Sequence, residues 1–262
     1  LGVAVGGFLL MGQLSLVEMI EQKIFAKATV EFAYRFPRIK KNEFEGEDPA
    51  ELVNRFFDVI TIQKGLTKLL VDVVAASVQI FFAAILLSFY HPVFMIFGLF
   101  TVLVIILMLF LFYNIGVKTS IQESEHKYEV VAYLESVAAN LDDYRNQPQK
   151  LNDVILRTDQ ITAKYLKARN DHFKILKKFF ASSVALRTIL MGGLLLLGSF
   201  YVVERQMTLG QFVAAEVIIV QISYAVEKFM TSLNTIFDMV TGSEKLAAVT
   251  DLELEESEVS HD

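Results

Sequence analysis

The residues that could do chemistry are those out of keeping with their surroundings. Arg187, Glu216, Gln221 and Glu227, together with Asp72 and Gln79, sit inside or at the edge of long apolar runs. An ionised group in hydrocarbon costs at least about 2.5 kcal/mol, so such side chains turn toward a bundle interior or a water-filled path. At 1.5 Å per residue, Arg187 lies about 24 Å and Glu227 about 27 Å from the same outer turn. That common level predicts an Arg187 to Glu227 ion pair between the last two apolar segments, the alternative being that Arg187 snorkels to the interface. Glu216, only about 10 Å down, is off that level and lacks a local partner. Glu216, Gln221 and Gln79 are therefore the candidates to face a pathway, with Glu216 the first choice for contact with cargo or a cation. Asp72 has Lys68 one turn earlier, which suits a local i,i+4 salt bridge.

Nothing else forms a catalytic constellation. His91, His126, His172 and His261 are scattered without ligand spacing, and His91 beside Pro92 reads as a turn residue. The acidic run Glu43, Glu45, Glu47, Asp48 reads as a solvated face, with a cation site as the alternative. Cysteine is absent, so there is no disulfide framework or thiolate metal site. No Gly-x-x-x-x-Gly-Lys-Ser/Thr phosphate loop occurs. The net charge of -6 is concentrated in the acidic tail (Glu253, Glu255, Glu256, Glu258, Asp262) and argues against a nucleic-acid partner.

The elements that position these residues follow from hydropathy. The chain is 54% hydrophobic yet 21% charged, two figures that coexist because the residues are segregated into blocks. Runs long enough to cross a hydrocarbon core of about 30 Å fall at 1–17, 69–90, 92–117, 179–203 and 209–226. The chain reads as an all-α integral membrane protein with five spans. Between them lie two polar stretches with helical periodicity, 18–68 and 118–178, each folding back as a hairpin. The first breaks at Pro37, after which Arg38, Lys40 and Lys41 form a basic cluster, and again at Gly46 and Asp48-Pro49. The second breaks at Asn146 to Pro148. By contrast, spans two and three meet at Ser88 to Pro92 and spans four and five at Glu204 to Thr208, turns so short that their spans must be antiparallel neighbours. Gly2 and Gly6 have the small-xxx-small spacing of closely packed membrane helices. Residues 1–248 form the membrane domain, and 249–262 an acidic linker.

Nearly all Lys and Arg lie in the two hairpins, while the short-turn side carries only Arg205. The positive-inside rule then places the hairpins and the C-terminus in the cytoplasm, as in a bacterial inner or plasma membrane. Leu1 is not an initiator methionine and no basic region precedes the first run, so no signal peptide is expected.

Long helical hairpins on one face alternating with minimal turns on the other resemble the transmembrane domain of ABC exporters, the type I fold of six helices. Three stretches carry the resemblance. Glu51, Leu52, Asn54, Arg55 and Asp58 are similar to the family's stretch after its first intracellular loop, and Glu135 to Leu141 followed by Asp142 to Pro148 sits at its second intracellular turn. Met207-Thr208-Leu209-Gly210-Gln211-Phe212-Val213-Ala214 resembles its entry to the sixth helix. One departure is that Ala225, Val226 and Glu227 stand where the family often has Pro-Leu, so a kink there is not expected.

The resemblance implies that the family's first helix and its ATPase domain lie outside this sequence, with ATP and Mg held by that nucleotide-binding domain. It implies a second transmembrane domain as partner, in a homodimer or pseudo-dimer. It also implies that Lys40, Lys41, Glu43 and Phe44 in one turn, and Asp142, Asp143, Tyr144 and Arg145 in the other, couple the membrane part to the ATPase. The expected function is alternating-access export of a peptide, lipid or amphiphilic compound. A secondary transporter is the first alternative, although that class often breaks its helices at mid-membrane and these spans contain no interior proline. A membrane scaffold or sensor is the second.

Overall fold

The computed structural model describes residues 1–44, 49–145 and 148–255. The described chain is helical throughout. Its elements are α1 (Gly2–Arg35), α2 (Pro49–Asn54), α3 (Asp58–Thr67), α4 (Val74–Tyr90), α5 (Pro92–Ala139), α6 (Leu141–Arg145), α7 (Pro148–Gly193), α8 (Ser199–Val203) and α9 (Leu209–Thr250). Five helical stretches are long and apolar enough to cross a membrane. Among the described residues there is no β-strand, only an isolated antiparallel bridge between Ile39 and Leu254.

Local chemistry accounts for the helix ends. His91 is extended and Pro92 opens α5 at its first position, where a missing N–H costs nothing; the His91 Nδ1 accepts from the Val93 N–H at 3.4 Å. The turn at the other pair of spans joins two capping motifs. Arg205, at φ 56°, is the αL residue past the end of α8. Around it the Arg205 N–H donates to Val202 O at 3.1 Å and the Gln206 N–H to Tyr201 O at 3.0 Å, the two bonds of a Schellman cap. Two residues later, Thr208 Oγ1 accepts from the Gln211 N–H at 3.2 Å while Gln211 Oε1 accepts from the Thr208 N–H at 2.8 Å. This reciprocal capping box is the physical content of the Thr-Leu-Gly-Gln sequence that starts α9.

Other features differ from the sequence reading. The approach to the second span is segmented rather than one helix, with a 3₁₀ turn at Arg55–Phe57 and a π turn at Lys68–Val73. A second π turn, Leu194–Gly198, lies inside the fourth span. A Cβ added at Gly2 or Gly6 would meet nothing within 4 Å, so that small-residue pattern packs against no other helix among the described residues. As expected, α9 continues without a break past Ala225, Val226 and Glu227.

The chain forms two units. One comprises residues 1–71 and 235–262, the other residues 72–234. In the first, α3 and α9 approach so closely that a Cβ on Gly65 would clash with Met239 Cβ. A small core of Phe32, Leu52 and Val249, with Phe36, Phe56, Leu246 and Leu252 against it, closes the polar end of this unit. In the second, α5 and α7 run side by side and are zipped beyond their apolar halves by Arg169 to Glu123 at 2.8 Å and Lys164 to Glu129 at 3.1 Å. The fully buried His172 sits between these two helices, its Nδ1 2.9 Å from the Thr119 hydroxyl.

Candidate functional site

Four of the six polar residues named in the apolar runs come together in pairs. Arg187 Nη1 lies 3.8 Å from Glu227 Oε2, so the ion pair expected from their common depth is present. The guanidinium also stands over the Tyr224 ring, 5.3 Å from its centroid, a cation–π contact one turn from the carboxylate. Gln79 Nε2 donates to Gln221 Oε1 at 3.0 Å, joining α4 to α9.

The fifth, Glu216, is half-buried and makes no hydrogen bond or ion pair among the described residues. Asp72 is bound from another helix, with Lys228 Nζ 2.9 Å from Asp72 Oδ1. The sequence reading named Lys68 for it and could not name Lys228, because only neighbours along one helix can be paired from spacing. Successive residues of α9 thus reach different partners: Glu227 takes Arg187 of α7, and Lys228 takes Asp72 in the π turn before α4.

Arg187 and Glu227 open onto a groove of about 590 Å³ lined by α7 and α9. Its walls are Phe180, Val184, Met191 and Gly192, with Ser183, Thr188 and Ser223 among them. The three hydroxyls donate back to carbonyls one turn earlier on their own helices, to Phe180, Val184 and Ile219. They therefore present lone pairs to the groove, and Arg187 is its charged donor. A smaller depression of about 340 Å³, lined by Phe173, Lys177, Met230 and Asn234, also borders Phe180. An apolar trough carrying one acid, one base and several acceptors can hold an amphiphile by its body and orient its polar end. Ser183, Ser223, Tyr224 and Lys228 were missed by the sequence reading, since serines and tyrosines do not stand out inside an apolar run.

The two polar turns hold the other candidates. Lys41, Glu43 and Phe44 lie in a 3₁₀ turn, Lys41–Phe44, and Lys41 is exposed. Lys40 is instead engaged within the chain, its Nζ 2.6 Å from Glu253 Oε2. That contact holds the Glu253 carboxyl below the usual carboxylate range, first through the hydrogen bond and then through the lysine charge. Asp142, Asp143, Tyr144 and Arg145 form the short helix α6; Asp142 is exposed and Tyr144 half-buried. The side chains of Glu43, Phe44, Asp143 and Arg145 lie outside the described residues, as do Glu45, Glu47 and Asp48 of the acidic run and residues 256–262 of the tail. No cluster of three or more metal-ligating side chains occurs among the described residues.

No curated protein matches the chain. It does match the family described as the ABC transporter transmembrane region, over residues 38–226. That interval contains both tight turns, the zipped α5 and α7 pair and every residue lining the α7 and α9 groove except Glu227, which follows it directly. The chain is an integral membrane protein and belongs to the ABC transporter transmembrane region family.

Proposed function

We propose that this chain is the pathway-forming domain of an ATP-driven exporter. The supporting observation is the continuity of its long helices from apolar to polar surroundings. α5 has 48 residues, α7 has 46 and α9 has 42. At 1.5 Å per residue α5 is about 70 Å long, more than twice a hydrocarbon core of about 30 Å. A stiff helix half in lipid and half in water moves as a lever, so displacement at its polar end repacks its apolar end. The polar hairpins lie in the cytoplasm, where the turns Lys41–Phe44 and Leu141–Arg145 dock on nucleotide-binding domains carrying ATP and Mg.

A second copy of the domain, or a close relative, completes the pathway. The α7 and α9 groove with Arg187 and Glu227, together with Glu216 and the Gln79 to Gln221 bridge, lines the route of a peptide, lipid or amphiphilic compound. No hydrolysis occurs in this chain. The test is reconstitution in lipid with an ABC-type ATPase, from the same gene or its neighbour. Hydrolysis that rises with a transported compound, and loses that rise when the Leu141–Arg145 turn is replaced by Gly and Ser, is the expected result. Vectorial transport that proceeds without any nucleotide would reject the reading in favour of a secondary transporter.

A further inference from the structure

The stretch where the chain leaves α9 is fastened to the foot of α1 by four kinds of contact. Arg35 Nη1 donates to the Thr250 carbonyl at 2.6 Å, satisfying one of the carbonyls that a helix C-terminus leaves open. The Lys40 N–H then donates to Glu253 O at 3.0 Å and the Glu255 N–H to Arg38 O at 2.7 Å. These bonds flank Ile39 and Leu254 and make them a directly opposed, non-hydrogen-bonded antiparallel pair, with Ile39 only 4% exposed. The Lys40 to Glu253 ion pair lies beside this bridge. Beneath it, Leu252 and Val249 sit in the apolar cluster with Phe32 and Phe36. Lys40 of the basic cluster after Pro37 and Glu253 of the acidic stretch after Thr250 thus meet, and the transport reading leaves the acidic stretch without a role.

We propose that residues 250–255 are a clasp that locks the exit of α9 to the foot of α1 in one register. The ends of the two helices then move as one body, with Glu255 set opposite Arg38 at the foot of α1. Side-chain contacts alone would allow the exit segment to slide. The two backbone bonds do not, because a slip of one residue would turn Leu254 to the opposite face and break both.

The absence of native cysteine in this sequence allows a direct test in lipid nanodiscs. Opposed residues of a non-hydrogen-bonded pair have Cα atoms about 4.5 Å apart, within disulfide reach. The double variant I39C/L254C should form an intramolecular disulfide under mild oxidation, identified by mass spectrometry of the digest. I39C/E255C, whose cysteines face opposite sides, should form it at least about tenfold more slowly. Equal rates for the two pairs would overturn the clasp. Hydrogen exchange supplies a second readout without cysteines. The Lys40 amide should be protected in the unaltered chain and should lose about tenfold or more of that protection in E255P, which removes the neighbouring donor. A Lys40 amide that exchanges at the rate of free chain, or that ignores E255P, would also overturn it. Neither readout uses ATP or transport, so failure of the exporter reading leaves both intact.

Discussion

The α7 and α9 groove and the clasp at the end of α9 both rest on ion pairs, yet they are built differently. In the groove, Arg187 and Glu227 meet at 3.8 Å with about two-fifths of each side chain exposed, and among the described residues no backbone–backbone hydrogen bond joins the helices there. At the clasp, backbone bonds of 2.7 and 3.0 Å set the register, and the 2.6 Å ion pair is added to an arrangement already fixed. Side chains can exchange partners by rotating, whereas paired backbones must separate. The groove is thus suited to rearrangement and the clasp to transmission.

The largest test of that contrast uses two glycines. At Gly65, in the same unit as the clasp, an added Cβ would clash with Met239 Cβ, while at Gly192, on the groove, it would meet nothing within 4 Å. Gly65→Ala should lower stability by about 1 to 3 kcal/mol through overpacking. Gly192→Ala should be neutral or raise it by up to about 1 kcal/mol through helix propensity. Thermal unfolding in one detergent checks both, and equal effects would erase the distinction in packing.

Next come the ion pairs on successive residues of α9. Asp72 is only 16% exposed and 2.9 Å from Lys228, so a double-mutant cycle on D72N and K228M should give a coupling of about 1 kcal/mol. The half-exposed Arg187 to Glu227 pair should give a few tenths of a kcal/mol in the cycle on R187M and E227Q. A larger value for the second pair would show the groove to be the more rigid of the two contacts.

The smallest effect is a dependence on pH. Because Lys40 lowers the folded-state pKa of Glu253, the ion pair contributes above the ordinary glutamate range near about 4.3. That contribution is lost as the pH falls through the lowered folded value. Lys40 amide protection should therefore hold from neutral pH to about pH 5 and weaken only below about pH 4. E253Q should lack this acid-dependent step while keeping the backbone bonds, as exchange measured across that range would show.

Hydropathy and turn chemistry were local, and so they were legible. Five apolar blocks, the His91-Pro92 turn and the Thr208 to Gln211 capping signal each depend on residues within a few positions of one another. The common depth of Arg187 and Glu227 was legible for a related reason: two long helices leaving one short turn have nearly the same rise per residue, even with one π turn between Arg187 and that turn, so distance along the chain converts to level in the membrane. The π turns at Lys68–Val73 and Leu194–Gly198 were not legible, because an extra residue in a helical turn leaves no mark in apolar sequence.

The sequence by itself thus determined the class of the protein, the number of spans and the positions of the short turns, because burial in lipid is decided by the composition of contiguous segments. Tertiary structure alone decided the partners. It brought Lys228 to Asp72 and Gln221 to Gln79, enclosed His172 between α5 and α7, and paired Lys40 with Glu253. A charge selects its partner by approach in space, and that approach is set by how the helices pack.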